Sequence, residues 1–256
     1  MSVIKKIFIT SLCFFLVCGL WSVVCGLSFA QYHSTESEMN MGSNLAREIA
    51  RQYPISNDPK DIERVNRIGA RIAAHCARKE LNYYFYVIDD KKTKNAFSIP
   101  GGYVYIFKGL LDILNDNELA YVIAHEVGHI VARHAMKQME KATGATLAAI
   151  ASIFVRTNNP DVVAGVSLAM AQLMSGYSQE CEFEADSLAV KEAKLAGYDP
   201  KAGINALEKL YKESKKETGP INYFRSHPYT AERLRNIRET LRMPISVDDY
   251  INKKAD

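Results

Sequence analysis

Cysteine is scarce in this chain of 256 residues: there are five, and Cys13, Cys18 and Cys25 fall within residues 1–30. Cys76 and Cys181 remain, with no Cys-x-x-Cys spacing, which removes a Cys₂His₂ structural zinc site from consideration. In an exported chain these two either pair or stay as buried thiols. An excess of one charge is also missing. The net charge is +3, from 32 basic and 29 acidic residues, and the signs are interspersed. There is thus no basic face for nucleic acid and no acidic tail. Lys209, Lys212, Lys215 and Lys216 read as a solvated helix end and loop. Beyond residue 30 no apolar run reaches the ~20 residues that a membrane span needs. The apolar stretches Thr143–Val155 and Val162–Met174 are shorter and read as a buried or cleft-covering helical hairpin. No 34-residue repeat follows, so a helical-repeat partner module is not expected.

The first thirty residues read as a targeting segment. Lys5 and Lys6 form a positive start, Ile7 to Leu27 is uncharged and mostly apolar, and Ser28-Phe29-Ala30 supplies small residues ahead of Gln31. That is a signal peptide at 1–30, with export to the periplasm. The stretch is long for a signal core, so an uncleaved N-terminal anchor facing the periplasm is the alternative; it would tie the protein to the membrane. Cys18 and Cys25 each follow valine, where a lipidation signal needs a small residue. Arg-rich, Ser-rich transit-peptide character is absent. Cleavage leaves residues 31–256, a length that suits one domain with a sizeable core.

What the chain has is His125-Glu126-Val127-Gly128-His129, between the apolar runs Leu119–Ala124 and Ile130-Val131. Residues four apart on a helix point the same way, about one turn apart, so both imidazoles reach one metal ion. Zinc favours imidazole nitrogen in tetrahedral geometry, and a catalytic site keeps one position for water. Glu126, beside the first ligand, can take a proton from that water. Helices also carry His and Glu for solubility, but these flanks predict a buried helix. Burying the three side chains without partners is costly. One zinc ion per chain removes that cost.

The third ligand decides the subclass. A pattern continuing along the same helix needs a glycine and a third histidine at positions 132 and 135, where the chain has Ala132 and Ala135. His134, five residues after His129, falls off the shared face and reads as a packed or partly exposed helix residue. A glutamate about twenty residues on, as in thermolysin-like enzymes, is missing, since none occurs between Glu140 and Glu180. The next carboxylates cluster as Glu180, Glu182, Glu184 and Asp186, in a helix opened by Ser178 as N-cap. Glu182 and Asp186 share one face, Glu180 and Glu184 another. Helix geometry alone does not choose between the pairs.

His-Glu-x-x-His followed by Glu182-x-x-Ala185-Asp186 resembles the gluzincin family of the heat-shock protease HtpX and the CAAX prenyl protease. The resemblance implies that Glu182 is the third zinc ligand and that Asp186, one turn later, buttresses the site; orienting carboxylates are what metal sites generally need. Lys94-Asn95-Ala96-Phe97-Ser98-Ile99-Pro100-Gly101-Gly102 resembles the family's Asn-Ala-Phe…Pro-Gly-Gly segment, the edge strand and turn over the cleft. It implies substrate contacts at Asn95 and Ala96, because an exposed edge strand binds an extended peptide through its main chain. By itself Pro100-Gly101-Gly102 is a turn signal. Ser226-His227-Pro228…Arg233 resembles the late His-Pro…Arg motif and implies that His227 and Arg233 face the active site. His227 would contact the oxyanion or cap the zinc at rest. Gln179 departs from the family, where many members carry arginine.

The expected fold is α+β and mostly helical, a zincin-like metalloprotease domain whose small sheet borders the cleft with an edge strand. Helices are predicted over Ser37–Tyr53, Pro59–Ala77, Leu110–Leu114, Asn117–Ala142, Ala145–Val155, Asp161–Met174, Gln179–Leu195, Lys201–Lys212 and Ala231–Leu241. Strands are predicted at Leu81–Ile88, near Ala96-Phe97 and at Tyr103–Phe107. The function expected is a zinc-dependent endopeptidase of the cell envelope, acting on proteins or peptides in quality control. The alternative is a zinc-bearing, chaperone-like binder with little turnover. Glu126 favours the enzyme, because binding zinc does not require it.

Overall fold

The structure is a computed structural model that describes residues 34–140, 176–215, 223–228 and 231–245. The helices expected at Ala145–Val155 and Asp161–Met174 lie outside the described residues. The chain divides at Glu38/Met39. Helix α1, Thr35–Gln52, opens in the leading unit. In the following unit Met41, Leu45 and Ile49 are buried at four-residue spacing, one stripe of an amphipathic helix.

Helix α2, Pro59–Ala73, has Asp58 as N-cap and proline in its first turn, and buries Val65, Ile68 and Ile72. It stops short of the expected Ala77. Cys76 Sγ and Lys79 Nζ both bond the Ala73 carbonyl, which occupies an acceptor that a further turn would need.

Three strands follow: β1 Tyr84–Ile88, β2 Ala96–Ile99 and β3 Tyr103–Phe107. Their order is β1-β3-β2, with β1 parallel and β2 antiparallel to the central β3. The β2–β3 turn places Gly101 at φ 81° and Gly102 at φ 97°, which explains the paired glycines. Side chains alternate across the sheet. One face stacks aromatic rings in register, Tyr84 on Tyr103 at 4.8 Å, Tyr86 on Tyr105 at 5.3 Å and Phe97 on Tyr105 at 5.0 Å. The other carries Phe85, Val87, Val104, Ile106, Ala96 and Ser98, and α2 packs on β1 while the central helix packs on β2. Strand β2 is an edge, as expected, but all four of its residues are buried rather than exposed.

After the short α3 (Lys108–Leu111) comes the central helix α4, Asp116–Val131. Asn115 and Glu118 form a reciprocal capping box at its start. Every residue from Glu118 to Ile130 is buried. The expected single helix to Ala142 is interrupted. Arg133 takes φ 58°, and α5 (His134–Glu140) restarts in a new direction. No glycine or proline marks that break in the sequence. Helix α6, Gln179–Leu195, has the expected Ser178 cap and lies along α4. Helices α7 (Ala202–Ser214), α8 (Tyr223–Ser226) and α9 (Ala231–Thr240) complete the described residues. The single turn α8 has no counterpart among the expected elements. Cys76 and Cys181 are free thiols.

Gly128 explains how α4 and α6 approach so closely. A Cβ there would stand 3.1 Å from the Ala185 carbonyl oxygen and 3.3 Å from the Leu188 Cβ. The glycine inside the histidine motif therefore lets one helix lie against the other, and it is this contact that brings the second motif to the first.

One turn beyond Leu188 on the same helix, Glu192 is 2% exposed, and its Oε2 meets no hydrogen-bond donor among the described residues. Burial pushes its carboxyl up to about 8, with Lys191 and Lys79 offsetting only part of the shift. The folded state thus holds a proton that the unfolded chain releases above its ordinary carboxyl range. Stability from this group is fully present below that range and is lost as pH rises toward about 8. Glu192→Gln should therefore stabilise the protein at pH 9 and leave it nearly unchanged at pH 4, measured by urea unfolding at both pH values. Equal effects at the two would contradict the buried neutral acid.

Candidate metal centre

Helix α4 contributes His125, Glu126 and His129; α6 contributes Glu182 and Asp186; the residue after α8 is His227; and α9 carries Arg233. All seven are buried. His125, His129, Glu182 and His227 each offer one donor atom, and these lie within 4.8 Å of one another. The Nε2 atoms of His125 and His129 are 3.0 Å apart. Glu182 oxygens stand 3.4 Å from His125 Nε2 and 3.5 Å from His129 Nε2. His227 Nδ1 is 3.3 Å from His125 Nε2 and 3.2 Å from Glu182 Oε1. Tetrahedral zinc with bonds of about 2.0–2.1 Å separates its donors by roughly 3.3 Å. The donor set and its spacing fit that ion.

The ring nitrogens facing away from the centre support the same reading. His125 Nδ1 lies 2.9 Å from Asp186 Oδ1, and a carboxylate can only accept, so the proton is favoured on that nitrogen. His129 Nδ1 lies 2.8 Å from His134 Nδ1, and His134 Nε2 lies 3.1 Å from Glu184 Oε2. Neutral His125 with its proton on Nδ1 directs the Nε2 lone pair at the centre, and His129 does the same when it donates from Nδ1 to His134.

The electrostatics favour a positive charge at the centre. Burial disfavours the charged form of every group here, but specific partners outweigh it at the carboxylates. Asp186 is held down to about 2, burial being overcome by the Arg233 guanidinium and by His125. Glu182 is held well below the usual range, against burial, by His227 and Arg233. Burial also opposes protonating His125, yet hydrogen bonds to Asp186 and Glu182 push it up to about 9. Its neighbour His129 is driven well below, by burial and then by the charge on His125. The two Nε2 atoms thus favour one proton between them, the same centre at which a metal cation would replace it.

The structure separates the two carboxylate pairs that helix geometry left equivalent. Glu182 and Asp186 face inward and are buried, whereas Glu180 and Glu184 are exposed. Asn95 and Ala96 are both buried, and the Asn95 side chain accepts from the Ala96 N–H at 2.9 Å and from the Ser226 hydroxyl at 3.4 Å. The Asn95 oxygen is therefore committed to its own strand and to the loop before His227.

Several residues escaped sequence reasoning. Ser98 on β2 donates its hydroxyl to Glu126 Oε2 at 3.0 Å. Tyr121, one turn before His125, donates to Asp186 Oδ1 at 2.7 Å, and its four-residue spacing could have found it. Tyr177 stacks on His129 at 4.1 Å and Tyr223 on His227 at 4.7 Å. His134 is packed, as expected, but against a ligand.

A family comparison matches residues 59–241 to Peptidase family M48. The chain belongs to peptidase family M48. M48 peptidases use zinc, and the resemblance that the motifs carried is borne out, as is the mostly helical α+β fold. Among curated proteins the chain is similar to the beta-barrel assembly-enhancing protease of Escherichia coli K12, 29% identical over 222 residues, which is 83% of this chain and 45% of that protein. It thus spans less than half the length of that M48 relative. It is also similar to the metalloprotease LoiP of the same strain, 29% identical over 187 residues and 70% of each chain. The metalloprotease YcaL is 28% identical over 214 residues, 80% of this chain and 76% of that one.

Arg233 holds the carboxylates of the centre. Its guanidinium donates to Asp186 at 2.8 and 2.6 Å and pairs with Glu182 Oε2 at 2.9 Å, with no exposed surface. Arg233→Met leaves two buried carboxylates without their counter-ion, a change that typically costs about 3–5 kcal/mol. Chemical unfolding of the metal-free protein should show a loss of that order. A loss below about 1 kcal/mol, the range of exposed pairs, would mean that the pair is not sequestered.

Proposed function

We propose that the chain is a zinc-dependent endopeptidase of the cell envelope that cleaves protein or peptide substrates in protein quality control. The observation that carries the reading is the set of four buried donors within 4.8 Å of one another with the buried Glu126 carboxylate on the same helix. His125, His129 and Glu182 would hold the ion. When bound, zinc polarises the scissile carbonyl and lowers the pKa of water to about 7.

The chain's own residues do the rest. Glu126 Oε2 is fixed by Ser98, so Oε1 is the oxygen that takes the proton from the attacking water and returns it to the leaving amine. His227 Nε2 lies 3.3 Å from Glu126 Oε1, and neither atom makes a hydrogen bond among the described residues. His227 would serve as a fourth donor that caps the site at rest; turned outward, the same imidazole would donate to the oxyanion. Arg233 keeps Glu182 and Asp186 ionised and so acts from behind the ligands. Along β2, the pairing register turns the main-chain groups of Ala96 and Ser98 away from β3, the side on which an extended peptide can pair. Asn95 occupies the Ala96 N–H, which leaves the Ala96 carbonyl and the Ser98 N–H for substrate.

Residues 1–30 are proposed as the export signal, with residues 31–256 the mature domain. No helix among the described residues is long and apolar enough to cross a membrane. Mass spectrometry of the exported protein should begin at Gln31; an intact Met1 in a membrane fraction would favour the anchor.

Casein degradation tests the activity. The purified protein should degrade casein, lose that activity to a chelator and regain it with zinc. Glu126→Gln should keep near-stoichiometric zinc while turnover falls by ~10²–10⁴. Wild-type turnover in that variant, or turnover untouched by chelation, would sink the assignment.

A further inference from the structure

The second ligand histidine is oriented by a pair that the motif does not contain. His125 has the buried carboxylate of Asp186 behind its Nδ1. Behind His129, among the described residues, stands a histidine instead. The His129 Nδ1 faces His134 Nδ1 at 2.8 Å, and His134 Nε2 faces Glu184 Oε2 at 3.1 Å. Tyr177 stacks on the His129 ring at 4.1 Å with an interplanar angle of 19°, so the ring can turn only in its own plane.

The donor–acceptor order along this row follows from chemistry. A carboxylate only accepts, so His134 Nε2 donates to Glu184. A neutral imidazole with its proton on Nε2 presents a lone pair at Nδ1. His129 Nδ1–H is then the donor of the 2.8 Å contact, and His129 Nε2 carries the lone pair that faces the centre. The reverse order would put the proton of His129 on Nε2 and remove a ligand. The backbone is shaped for this contact. In a continuous helix His134 would sit about 140° around the axis from His129. Instead Arg133 adopts φ 58°, a left-handed conformation that non-glycine residues seldom take, and the chain turns back so that His134 meets His129.

We propose that His134 and Glu184 form a relay that fixes the tautomer and orientation of His129 and thereby sets the zinc affinity of the centre. The relay rests on the zinc reading of the four-donor cluster. His134 is a positioning residue, acting through the ligand rather than on substrate. Glu184 is the outer end, half in solvent, with Lys137 3.9 Å from the same oxygen.

Zinc affinity, measured by chelator competition on the full-length protein, tests the relay independently of turnover. Outer partners of ligand histidines typically change metal affinity 10–100-fold. His134→Leu should weaken zinc binding by that factor. His134→Asn should restore most of it, because the Asn amide oxygen can accept where Nδ1 did. Glu184→Ala changes only a surface position, so its fold is safe, and it should weaken binding several-fold with the melting temperature of the metal-free protein unchanged. Affinity equal to wild type in Glu184→Ala or His134→Leu, or equal losses in His134→Asn and His134→Leu, would overturn the relay while leaving the metallopeptidase reading in place. A wild-type protein that takes up no zinc would overturn both.

Discussion

Everything at this centre depends on an uncompensated carboxylate charge held in a dry place. Glu182 and Asp186 are buried together beside a single guanidinium, Arg233. Ionised carboxylates in such surroundings are tolerated only with partners. Arg233 satisfies part of the charge, and the remainder is directed at the inward nitrogens of His125 and His129. The carboxylates beside His125 that raise its pKa are thus the same ones whose charge suits a cation between the histidines.

That arrangement exists only because two helices lie unusually close. Gly128 permits the approach, and Ala185 and Leu188 are what it approaches. The capping box at Asn115 and the N-cap at Ser178 fix where each helix begins, which sets the register of His125 against Glu182. Strand β2 adds a third fixed element, since Ser98 reaches Glu126 from the sheet. The proposed base, the proposed ligands His125, His129 and Glu182, and the strand proposed to pair with substrate are thus mounted on regular elements rather than on loops, the arrangement that holds geometry most tightly. His227 is the exception. It follows a four-residue helix tied to the strand segment by Ser226 and by the Tyr223 N–H to the Lys94 carbonyl, and its own carbonyl accepts from Arg233 at 3.3 Å.

Sequence reasoning reached the residues whose relations are local. The four-residue spacing of His125 and His129 is a helix property, and so is the split of the acidic run into two faces. Choosing Glu182 over Glu180 needed the family resemblance, because the decision belongs to the packing of α6 on α4. Ser98 and Tyr177 were missed for the same reason, since each touches the site across tens of residues, whereas Tyr223 stands four residues before His227, a spacing that could have found it. The break at Arg133 left no trace at all. The tertiary contact between His134 and His129 stabilises a backbone conformation that ordinarily carries a glycine signal, so helix propensity predicted continuity where packing imposed a turn.

The expectation of an exposed edge strand failed in an instructive way. The resemblance correctly identified β2 as the strand at the site, and the topology makes it an edge. Its residues are nevertheless buried, and Asn95 folds its amide oxygen onto the outward N–H of Ala96. A bare sheet edge is a liability that proteins cover or blunt. Here the covering uses the same asparagine that also bonds Ser226, one residue before His227. Protection of the edge and the position of the residue before His227 are consequently linked through one side chain. An extended peptide paired through the Ala96 carbonyl and the Ser98 N–H, as proposed, would leave both Asn95 contacts in place, so the edge can be blunted and still offer main-chain groups beside the site.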